Sequence, residues 1–403
     1  MADPRRIPVI VSGARTPIGR FLGGLSTLSA PQLGAIAIRA ALERSGIEKA
    51  DIADVIFGNV VSAGLGQAPA RQAAIAAGVP ENVGAMAVSR VCGSGLMSVM
   101  LAAQGIKAGD GDVYVAGGME SMSNVPYYLW NYRGGVKFGD QEITDGLIHD
   151  GLWCGFHDCH MGGHAEYTAF KAGITREEAD EFSLNSHRKA VAAIDAGKFK
   201  EEIVPVELKT RKGVTVVDTD ESPRRDSTLE ALAKLPPAFV KDKPAEVTNP
   251  VVTAGNAPGL NDGAAALVVT SQAYAEAHGL PIMGRINAYG TGAVAPQELF
   301  FAPVRAVKRV MEKEGKQIGD YDLIEANEAF AVQALADGKE LGWDWDRVNV
   351  NGGAVALGHP IGASGARVLV TLLYALKERG ARTGLATLCL GGGDAVALSV
   401  ERV

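Results

Sequence analysis

The sequence is poor in several features that would point to particular classes of protein. Its 403 residues include only four cysteines, Cys92, Cys154, Cys159 and Cys389. They are so widely scattered that we expect a reducing compartment and no disulfide scaffold. A cysteine with a special role should then act through its chemistry. The formal charge of −7 leaves no excess of basic residues to attract nucleic acid or an anionic membrane surface.

Long apolar runs are also missing. No stretch of about 18 apolar residues predicts a membrane span, and the first ten residues lack the pattern of a signal or transit peptide. We therefore expect a cytoplasmic protein without a membrane or nucleic-acid partner. With 403 residues, 47% of them hydrophobic, the chain is long enough for two or three domains.

One order of predicted elements occurs twice in the chain. Each copy has a strand, a helix, two further strands of which the second ends in a glycine-rich turn, a helix and a buried strand. The paired ranges are 8–13 and 284–290, 31–45 and 303–314, 51–59 and 320–327, 85–91 and 347–351, 96–107 and 366–379, and 112–118 and 385–393. Alternating strands and helices indicate parallel sheets covered on both faces. The sequence thus predicts an α/β fold with two duplicated βαβαβ-type sheet domains in α/β/α/β/α layers.

The segment between the two copies has a different character. It is rich in aromatic, His and Cys residues up to about residue 167, has a polar helix pattern over 176–196, and continues as charged loops. We interpret it as an inserted loop domain that caps a site, and the apolar run 263–270 as a late strand of the first half. The predicted domains are residues 1–119 with 250–272, the insert 120–249, and residues 273–403.

Cys92 precedes a predicted helix and is flanked by Gly93 and Gly95. A helix N-terminus stabilises a thiolate and offers N–H donors to an oxyanion. A single cysteine is more often a small buried apolar residue, so at this point both interpretations stay open. The duplication brings Cys389 to the corresponding strand end, and His359 follows from a neighbouring loop. We expect the three side chains to converge.

Five segments together resemble the thiolase family, over essentially the whole chain. They are Val91-Cys-Gly-Ser-Gly-Leu96, Gly117-Gly-Met-Glu-Ser-Met-Ser123, Asn327-Glu-Ala-Phe-Ala331, Gly352-Gly-Ala-Val-Ala-Leu-Gly-His-Pro-Ile-Gly-Ala-Ser-Gly365 and Cys389-Leu-Gly-Gly-Gly393. Each is weak alone, whereas five in this order are specific. The resemblance implies the thiolase fold and an acyltransferase that makes or cleaves the carbon–carbon bond of a 3-oxoacyl-CoA.

By this resemblance, Cys92 is the nucleophile that carries the acyl group and His359 is its proton partner. Cys389 removes an α-proton from a second acetyl-CoA. Asn327 positions a water that holds the enolate oxygen together with His359, and the N–H groups of Cys92 and Gly391 hold the tetrahedral oxyanion. The expected reaction is the reversible condensation of two acetyl-CoA to acetoacetyl-CoA and CoA. The CoA thioesters are substrates, and no cofactor is expected.

The resemblance also implies which residues bind acyl-CoA. Arg224 of the insert would hold CoA, with positive charge from Lys209, Arg211, Lys212 and Arg225, although such a charge run is as often a solvated face. The acyl and pantetheine groups would contact His160, Met161, Phe239, Ala254, Pro258, Ala329 and Phe330, positions that core packing would also explain. A homotetramer built from dimers is implied as well.

The chain departs from the family pattern at several positions. Pro258 and Ala231 replace serines, and Leu299-Phe-Phe-Ala-Pro303 adds two aromatic rings near the expected acyl pocket. Asp394 would raise the pKa of the Cys389 thiol if it faced that thiol. Three alternatives stay open: a broader 3-oxoacyl-CoA thiolase of fatty-acid or aromatic-acid breakdown, a decarboxylating condensing enzyme acting on a carrier protein, and a non-catalytic acyl-CoA-binding scaffold.

The segment Cys154-Gly-Phe-His-Asp-Cys-His160, with His164 beyond it, contains the ligand types of a zinc site. Its spacing matches no common zinc motif and His160 already has a role by resemblance, so we expect no metal site. Gly64-Leu-Gly66 lacks the third glycine of a dinucleotide-binding loop, and we expect no such cofactor.

Overall fold

The structure, a computed structural model, describes residues 6–211 and 213–403. Lys212, one of the predicted positive charges, lies outside the described residues. In this part of the chain the α-helices are α1 Ala30–Ser45, α2 Pro69–Ala76, α3 Ser94–Ala108, α4 Met161–Ala172, α5 Arg176–Asp195, α6 Leu229–Ala233, α7 Gln272–Ala277, α8 Ala302–Glu314, α9 Ala331–Leu341, α10 Ala354–Leu357 and α11 Ile361–Arg379. The strands are β1 Pro8–Arg15, β2 Gly19–Arg20, β3 Asp54–Gly58, β4 Gly84–Val88, β5 Val113–Ser121, β6 Tyr127–Tyr128, β7 Thr144–Asp145, β8 Trp153–Cys154, β9 Cys159–His160, β10 Val206–Thr210, β11 Gly213–Val217, β12 Asn261–Ser271, β13 Gly284–Ala293, β14 Leu323–Ala326, β15 Thr383–Leu390 and β16 Asp394–Glu401.

The strand order shows the internal duplication. The first half has the order β4-β3-β5-β12-β1, and the second has β14-β15-β16-β13. The second half also has a single parallel bridge from Val348 to Ile324 of β14, at the place that β4 occupies beside β3. In each half two neighbouring strands are parallel, as β3 and β5 or β14 and β15, while the next two pairs are antiparallel.

The layered α/β fold is as predicted, but the prediction that its sheets are parallel is wrong. Both halves are mixed, because the last strand of each half runs antiparallel to its neighbours. In the second half the range 385–393, read as one strand, is β15 followed by the turn Gly391–Gly393, and β16 returns beside it. A tight glycine turn joins only antiparallel strands, since a parallel connection needs a crossover of a dozen residues or more. The halves meet where β1 pairs with β13 through Val9↔Arg285 and Ile10↔Gly284.

The helices lie in three layers around these two half-sheets. Helices α1 and α2 cover the outer face of the first half, and α8 covers the outer face of the second. Helices α3 and α11 pack against each other and against strands of both halves, so they form the central layer. The resulting order is α/β/α/β/α. Along β12, Ala264, Ala266 and Val268 join the outer cluster, whereas Ala265, Leu267 and Val269 join the central one. With both faces buried, the strand is apolar throughout.

Two equivalent glycines allow the close approach of the central helices. A Cβ on Gly95 of α3 would lie 2.6 Å from the backbone N of Ala366, and a Cβ on Gly365 of α11 would lie 2.3 Å from the backbone N of Leu96. Such separations are far inside van der Waals contact. Cys92 stands just before α3 and His359 just before α11. This crossing therefore brings the two predicted catalytic segments together.

One apolar segment in the described residues is long enough to cross a membrane. It is Val91–Ala108, with mean hydropathy 1.2. This segment contains α3, whose Leu96, Val99 and Ile106 are 0% exposed. Its apolar composition is explained by its place in the central layer of the protein.

The region between β5 and β12 contains α4 to α6 and the hairpins β6–β7, β8–β9 and β10–β11. Helix α5 confirms the predicted polar helix and begins with a capping box, in which the side chains of Thr175 and Glu178 each accept a backbone N–H bond. Helix α4 packs on α9, and α5 packs on α9 and α10. The insert is thereby fixed to the second half of the chain.

Candidate active site

A mostly apolar cavity of about 280 Å³ opens where the insert meets both halves. Cys92, His359 and Cys389 all line it, with the backbone of Gly391. The sequence had placed these residues in three separate segments. The duplicated fold brings them to one wall.

Cys92 is held in a tight turn between β4 and α3. The preceding residue, Val91, has a φ of 45°, a conformation that is unfavourable for a β-branched side chain and is found where surrounding contacts enforce it. Burial raises the pKa of the Cys92 thiol to about 12, although hydrogen bonds from the backbone N–H groups of Cys92 and Gly391 favour the thiolate. The resting thiol is therefore neutral, and the two backbone N–H groups beside it favour the thiolate.

His359 is fixed through both its backbone and its ring. Its N–H donates to Oδ1 of Asn261 (2.9 Å), and its Nδ1 lies 2.6 Å from Oγ of Ser364. The Ser364 hydroxyl donates its only hydrogen to the carbonyl of Pro360 (2.9 Å), so it accepts from Nδ1–H. Burial, and then the charge of Arg367, lower the pKa of His359 to about 3. The ring is therefore neutral and presents the lone pair of Nε2 to the cavity.

Cys389 and Asn327 complete the polar part of the cavity wall. Cys389 is the last residue but one of β15 and is 1% exposed; burial, followed by the nearby Cys92, raises the pKa of its thiol well above the usual value. Nδ2 of Asn327 lies 3.5 Å from Nε2 of His359. Oδ1 of Asn327 is buried and accepts no hydrogen bond from the described residues. The amide can therefore bind a further polar atom beside the histidine.

Most of the predicted acyl-binding residues also line the cavity: His160, Met161, Phe239, Pro258, Ala329 and Phe330. The ring of His160 stacks on Phe239 with centroids 4.7 Å apart. Its Nδ1 accepts the N–H of Gly162, and burial lowers the pKa of the ring. A neutral imidazole on an aromatic ring adds an uncharged, flat surface to the wall.

Two predicted residues lie away from this cavity. Ala254 is exposed and is not part of the wall. Arg224 is also exposed, and its backbone N–H donates to Nδ1 of His187 (3.1 Å). Its loop is connected to the site, because Oγ of Ser222 accepts a hydrogen bond from Nδ2 of Asn261 (3.1 Å). Of the other cations, Arg225 pairs with Asp195 (2.7 Å), which neutralises it.

The departures from the family pattern have different positions. Pro258, Leu299 and Phe300 line the cavity, whereas Phe301 lies outside it beneath Nζ of Lys171 (5.3 Å from the ring centroid). Only one of the two added rings therefore enters the acyl region. The expected effect of Asp394 on Cys389 is absent, because the carboxylate turns to Arg90 (2.6 Å). Ala231 is exposed on α6.

Ser364, Asn261 and Glu120 were missed as parts of the site. Glu120 is fully buried and accepts from Asn59, Val60, Val61 and the N–H of Gly362 in the first turn of α11. The sequence feature that could have pointed to a close partner such as Asn261 is the glycine before His359. Gly358 has a φ of 108°, and a Cβ there would lie 2.5 Å from the Asn261 side chain. Only glycine leaves room for that contact.

Comparisons with known proteins identify the family. The family descriptions "Thiolase, N-terminal domain" and "Thiolase, C-terminal domain" match residues 8–273 and 280–402. The chain is similar to an acetyl-CoA acetyltransferase of Pseudomonas aeruginosa, with 53% identity over 98% of this chain and 99% of the relative. An Escherichia coli acetyl-CoA acetyltransferase is 53% identical over the same shares of the two chains.

A solved structure gives the same result for the fold. The crystal structure of the Bacillus anthracis acetyl-CoA acetyltransferase superposes with a TM-score of 0.95 at 42% identity, covering 98% of this chain and 99% of that one. Sequence and fold therefore agree over nearly the entire length. On these grounds the chain belongs to the thiolase family.

Proposed function

We propose that this protein is an acyltransferase that condenses two acetyl-CoA to acetoacetyl-CoA and CoA, and catalyses the reverse cleavage, through an acetyl-Cys92 intermediate. The observation that carries the proposal is the convergence of two thiols and one neutral imidazole in a single apolar cavity. The full-length relatives named acetyl-CoA acetyltransferase support the same reaction.

In the first half-reaction, Cys92 attacks the thioester carbonyl of acetyl-CoA. Nε2 of His359 accepts the thiol proton as the sulfur–carbon bond forms, and the carbonyl oxygen becomes an oxyanion. The backbone N–H groups of Cys92 and Gly391, which favour the Cys92 thiolate, would be the donors for this charge. Collapse of the tetrahedral species expels CoA as its thiolate, which takes the proton of the Cys389 thiol, so that Cys389 becomes a thiolate while Nε2 of His359 keeps the Cys92 proton. Because both resting groups are neutral, proton transfer accompanies the attack and does not precede it.

In the second half-reaction, Cys389 acts as the base. A thioester α-carbon is a weak acid, so removal of its proton requires stabilisation of the enolate oxygen at the same time. Nε2–H of His359, which carries the proton taken from Cys92, and a water bound by Asn327 would hold that oxygen as donors. The enolate carbon then attacks the acetyl group on Cys92, the new carbon–carbon bond forms, and the Cys92 sulfur leaves and takes its proton back from His359. The Cys389 thiol keeps the α-proton, so all three groups return to their resting states.

CoA itself would lie along the insert. The proposal keeps the domain division predicted from the sequence, with the insert at residues 120–249 between the two halves. Arg224 would reach its phosphates from the loop that Ser222 ties to Asn261. Lys209 and Arg211 are exposed nearby in sequence and have no ion-pair partner among the described residues. The apolar wall of Met161, Phe239 and Phe330 would hold the pantetheine and acyl chain.

A short acyl chain fits the inner end of this cavity best. The rings of Phe300 and Phe330 lie 5.3 Å apart in an edge-to-face arrangement, and Phe300 is 2% exposed. Together with Leu299 they form part of the apolar lining. We therefore prefer acetyl and acetoacetyl groups to the longer chains of a broad-range thiolase.

The reaction needs no cofactor in this proposal, because the CoA thioesters supply the activated carbons. We place the enzyme in the cytoplasm as a homotetramer built from dimers. Exposed apolar surface supports self-association: β4 is an end strand of the sheet with Met86 46% exposed, and Trp130 and Phe138 are 49% and 100% exposed.

The test separates the two half-reactions. Thiolysis is followed by the loss of the magnesium–enolate absorbance of acetoacetyl-CoA, acetyl transfer by CoA exchange into acetyl-CoA, and α-proton removal by deuterium wash-in. We expect Cys92→Ala to lose acetyl transfer and Cys389→Ala to retain it but lose deuterium exchange. Both variants should lose thiolysis. Each variant serves as the folded control for the other.

Two results would contradict the proposal. Retention of thiolysis in either variant would remove that cysteine from the mechanism. Substrate binding without either half-reaction in the intact protein would favour a scaffold that only binds acyl-CoA.

A further inference from the structure

The hairpin β8–β9 and the first turn of α4 bring four potential metal ligands together. Cys154 and Cys159 are paired across the two strands of the hairpin, His157 lies in the loop between them, and His164 lies on α4. Sγ of Cys154 is 3.8 Å from Nδ1 of His157, and Sγ of Cys159 is 3.6 Å from Nε2 of His164. The mechanism uses none of these side chains.

The distances suit tetrahedral coordination. Zinc–sulfur bonds of about 2.3 Å and zinc–nitrogen bonds of about 2.0 Å place sulfur and nitrogen ligands about 3.5 Å apart in a tetrahedron. Both sulfur–nitrogen contacts of the cluster are near that value. The ligand atoms of Cys154, His157 and His164 all lie within 4.8 Å of one another. Cys159 lies outside this group of three and contacts it through His164, so its side chain must turn toward the other ligand atoms to become the fourth ligand.

The surroundings favour a metal ion held by nitrogen and sulfur atoms alone. His164 is buried and presents Nε2 to the sulfur of Cys159. The nearby carboxylates are engaged elsewhere: Asp158 accepts from Nε1 of Trp153, and Asp242 accepts from the backbone N–H of His160. A set of two thiols and two imidazoles is characteristic of structural zinc, whereas calcium and magnesium prefer oxygen.

We propose that Cys154, His157, Cys159 and His164 bind one Zn²⁺ ion as a closed structural site. Binding converts the two thiols to thiolates and releases two protons, while both imidazoles bind as neutral rings. The site joins the two strands of the hairpin to α4. His160 follows Cys159 directly in the chain and lines the cavity. The ion would thus fix the hairpin that forms part of the acyl-binding wall without taking part in the reaction.

A zinc site at this hairpin is contrary to the expectation from the sequence. The spacing Cys-x2-His-x-Cys-x4-His matches no common zinc motif, because two ligands come from the paired strands of a hairpin, one from its loop and one from the helix that follows at once. The four side chains come together only in the fold, where the strand register Cys154↔Cys159 places both cysteines beside the first turn of α4.

The test measures metal in the full chain, purified without an affinity tag or chelator from zinc-supplemented medium. We expect about one zinc per chain by elemental analysis. After exchange for Co²⁺, thiolate-to-cobalt charge-transfer bands and tetrahedral d–d bands should appear. Cys159→Ala and His157→Ala should lower zinc content at least about fivefold. His157 is exposed, so its replacement tests ligation with little risk to folding.

Two control variants separate this site from the reaction. His278→Ala removes another exposed histidine, which stacks on Tyr274 at the end of α7, and should keep its zinc. Cys92→Ala should be inactive yet keep its zinc, so failure of the metal proposal and failure of the catalytic proposal are distinguishable. A folded wild-type protein that binds neither Zn²⁺ nor Co²⁺, or a Cys159→Ala variant with undiminished zinc, overturns the inference. A Cys154–Cys159 disulfide in the isolated protein would overturn it as well.

Discussion

Replacing Ser364 by alanine should impair catalysis far more than folding. The Ser364 hydroxyl accepts Nδ1–H of His359 at 2.6 Å and so keeps the lone pair on Nε2, the atom that faces the cavity. Without it, the buried Nδ1–H has no acceptor, and the other tautomer places a hydrogen on Nε2, where a base is needed. An unsatisfied buried donor costs about 1–3 kcal/mol. That is roughly 5- to 150-fold in rate if the cost appears in the transition state.

The assay is steady-state thiolysis of acetoacetyl-CoA, analysed as kcat and KM separately. The matched control is Ser98→Ala, because Ser98 is another buried helical serine, whose hydroxyl donates to the carbonyls of Gly95 and Gly117. Both variants should lose a comparable amount of stability, about 1 kcal/mol. Only Ser364→Ala should lose kcat, with KM nearly unchanged. A folded Ser364→Ala enzyme with kcat within about twofold of wild type would refute this positioning role.

Three further predictions concern the cavity, the central helices and pH. Phe300→Ala should raise kcat/KM for a longer 3-oxoacyl-CoA, relative to that for acetoacetyl-CoA, about tenfold. Phe301→Ala removes a ring outside the cavity and should leave this ratio unchanged. Assays in which the two substrates compete measure the ratio, and equal effects of the two substitutions would place the end of the acyl chain elsewhere. Gly95→Ala should destabilise the protein by about 1–3 kcal/mol, because the added Cβ clashes with the Ala366 backbone. Gly319→Ala, at a position with open space around it, should not. The measurement is the urea unfolding midpoint, and equal shifts in the two variants would exclude the helix crossing as the cause. The pKa of His359 is lowered to about 3 and that of the Cys92 thiol is raised to about 12. Neither group therefore changes its charge between about pH 6 and 9, and kcat/KM should be independent of their ionisation there. A sigmoidal rise in this range would indicate a thiolate–imidazolium pair.

The same depressed histidine pKa affects stability. Unfolding exposes the ring to water, where its pKa returns to about 6.5, so below that pH the unfolded state binds more protons than the folded state. The contribution of His359 to stability is therefore complete above about pH 6.5 and is lost as the pH falls toward 3. Acid unfolding of the wild type should begin in this window.

The duplication and the catalytic positions could be predicted because they depend on local patterns. The strands that lead to Cys92 and contain Cys389, and the glycine-rich starts of α3 and α11, are visible as short motifs. Strand direction was harder, since β15 and β16 form one apolar stretch interrupted only by glycines. A hairpin and a single long strand look alike there until pairing is known.

Long-range contacts account for what the sequence did not predict. Asn261 and Ser364 hold His359 from 98 and 5 residues away, and neither residue belongs to a pattern that identifies its partner. The side-chain directions of Phe300 and Phe301 depend on how the turn before α8 meets α4. For the same reason the pairing of Asp394 with Arg90 could not be predicted, because the two residues are 304 positions apart in the chain.

The covalent intermediate provides the most direct test of the central claim. Wild-type protein and Cys389→Ala would be mixed with acetyl-CoA, quenched in acid and analysed by peptide mass spectrometry. The account predicts one acetyl group on the peptide that contains Cys92, accumulating further in Cys389→Ala because the next step is blocked. No acetylated peptide, or acetyl on a residue other than Cys92, would contradict it.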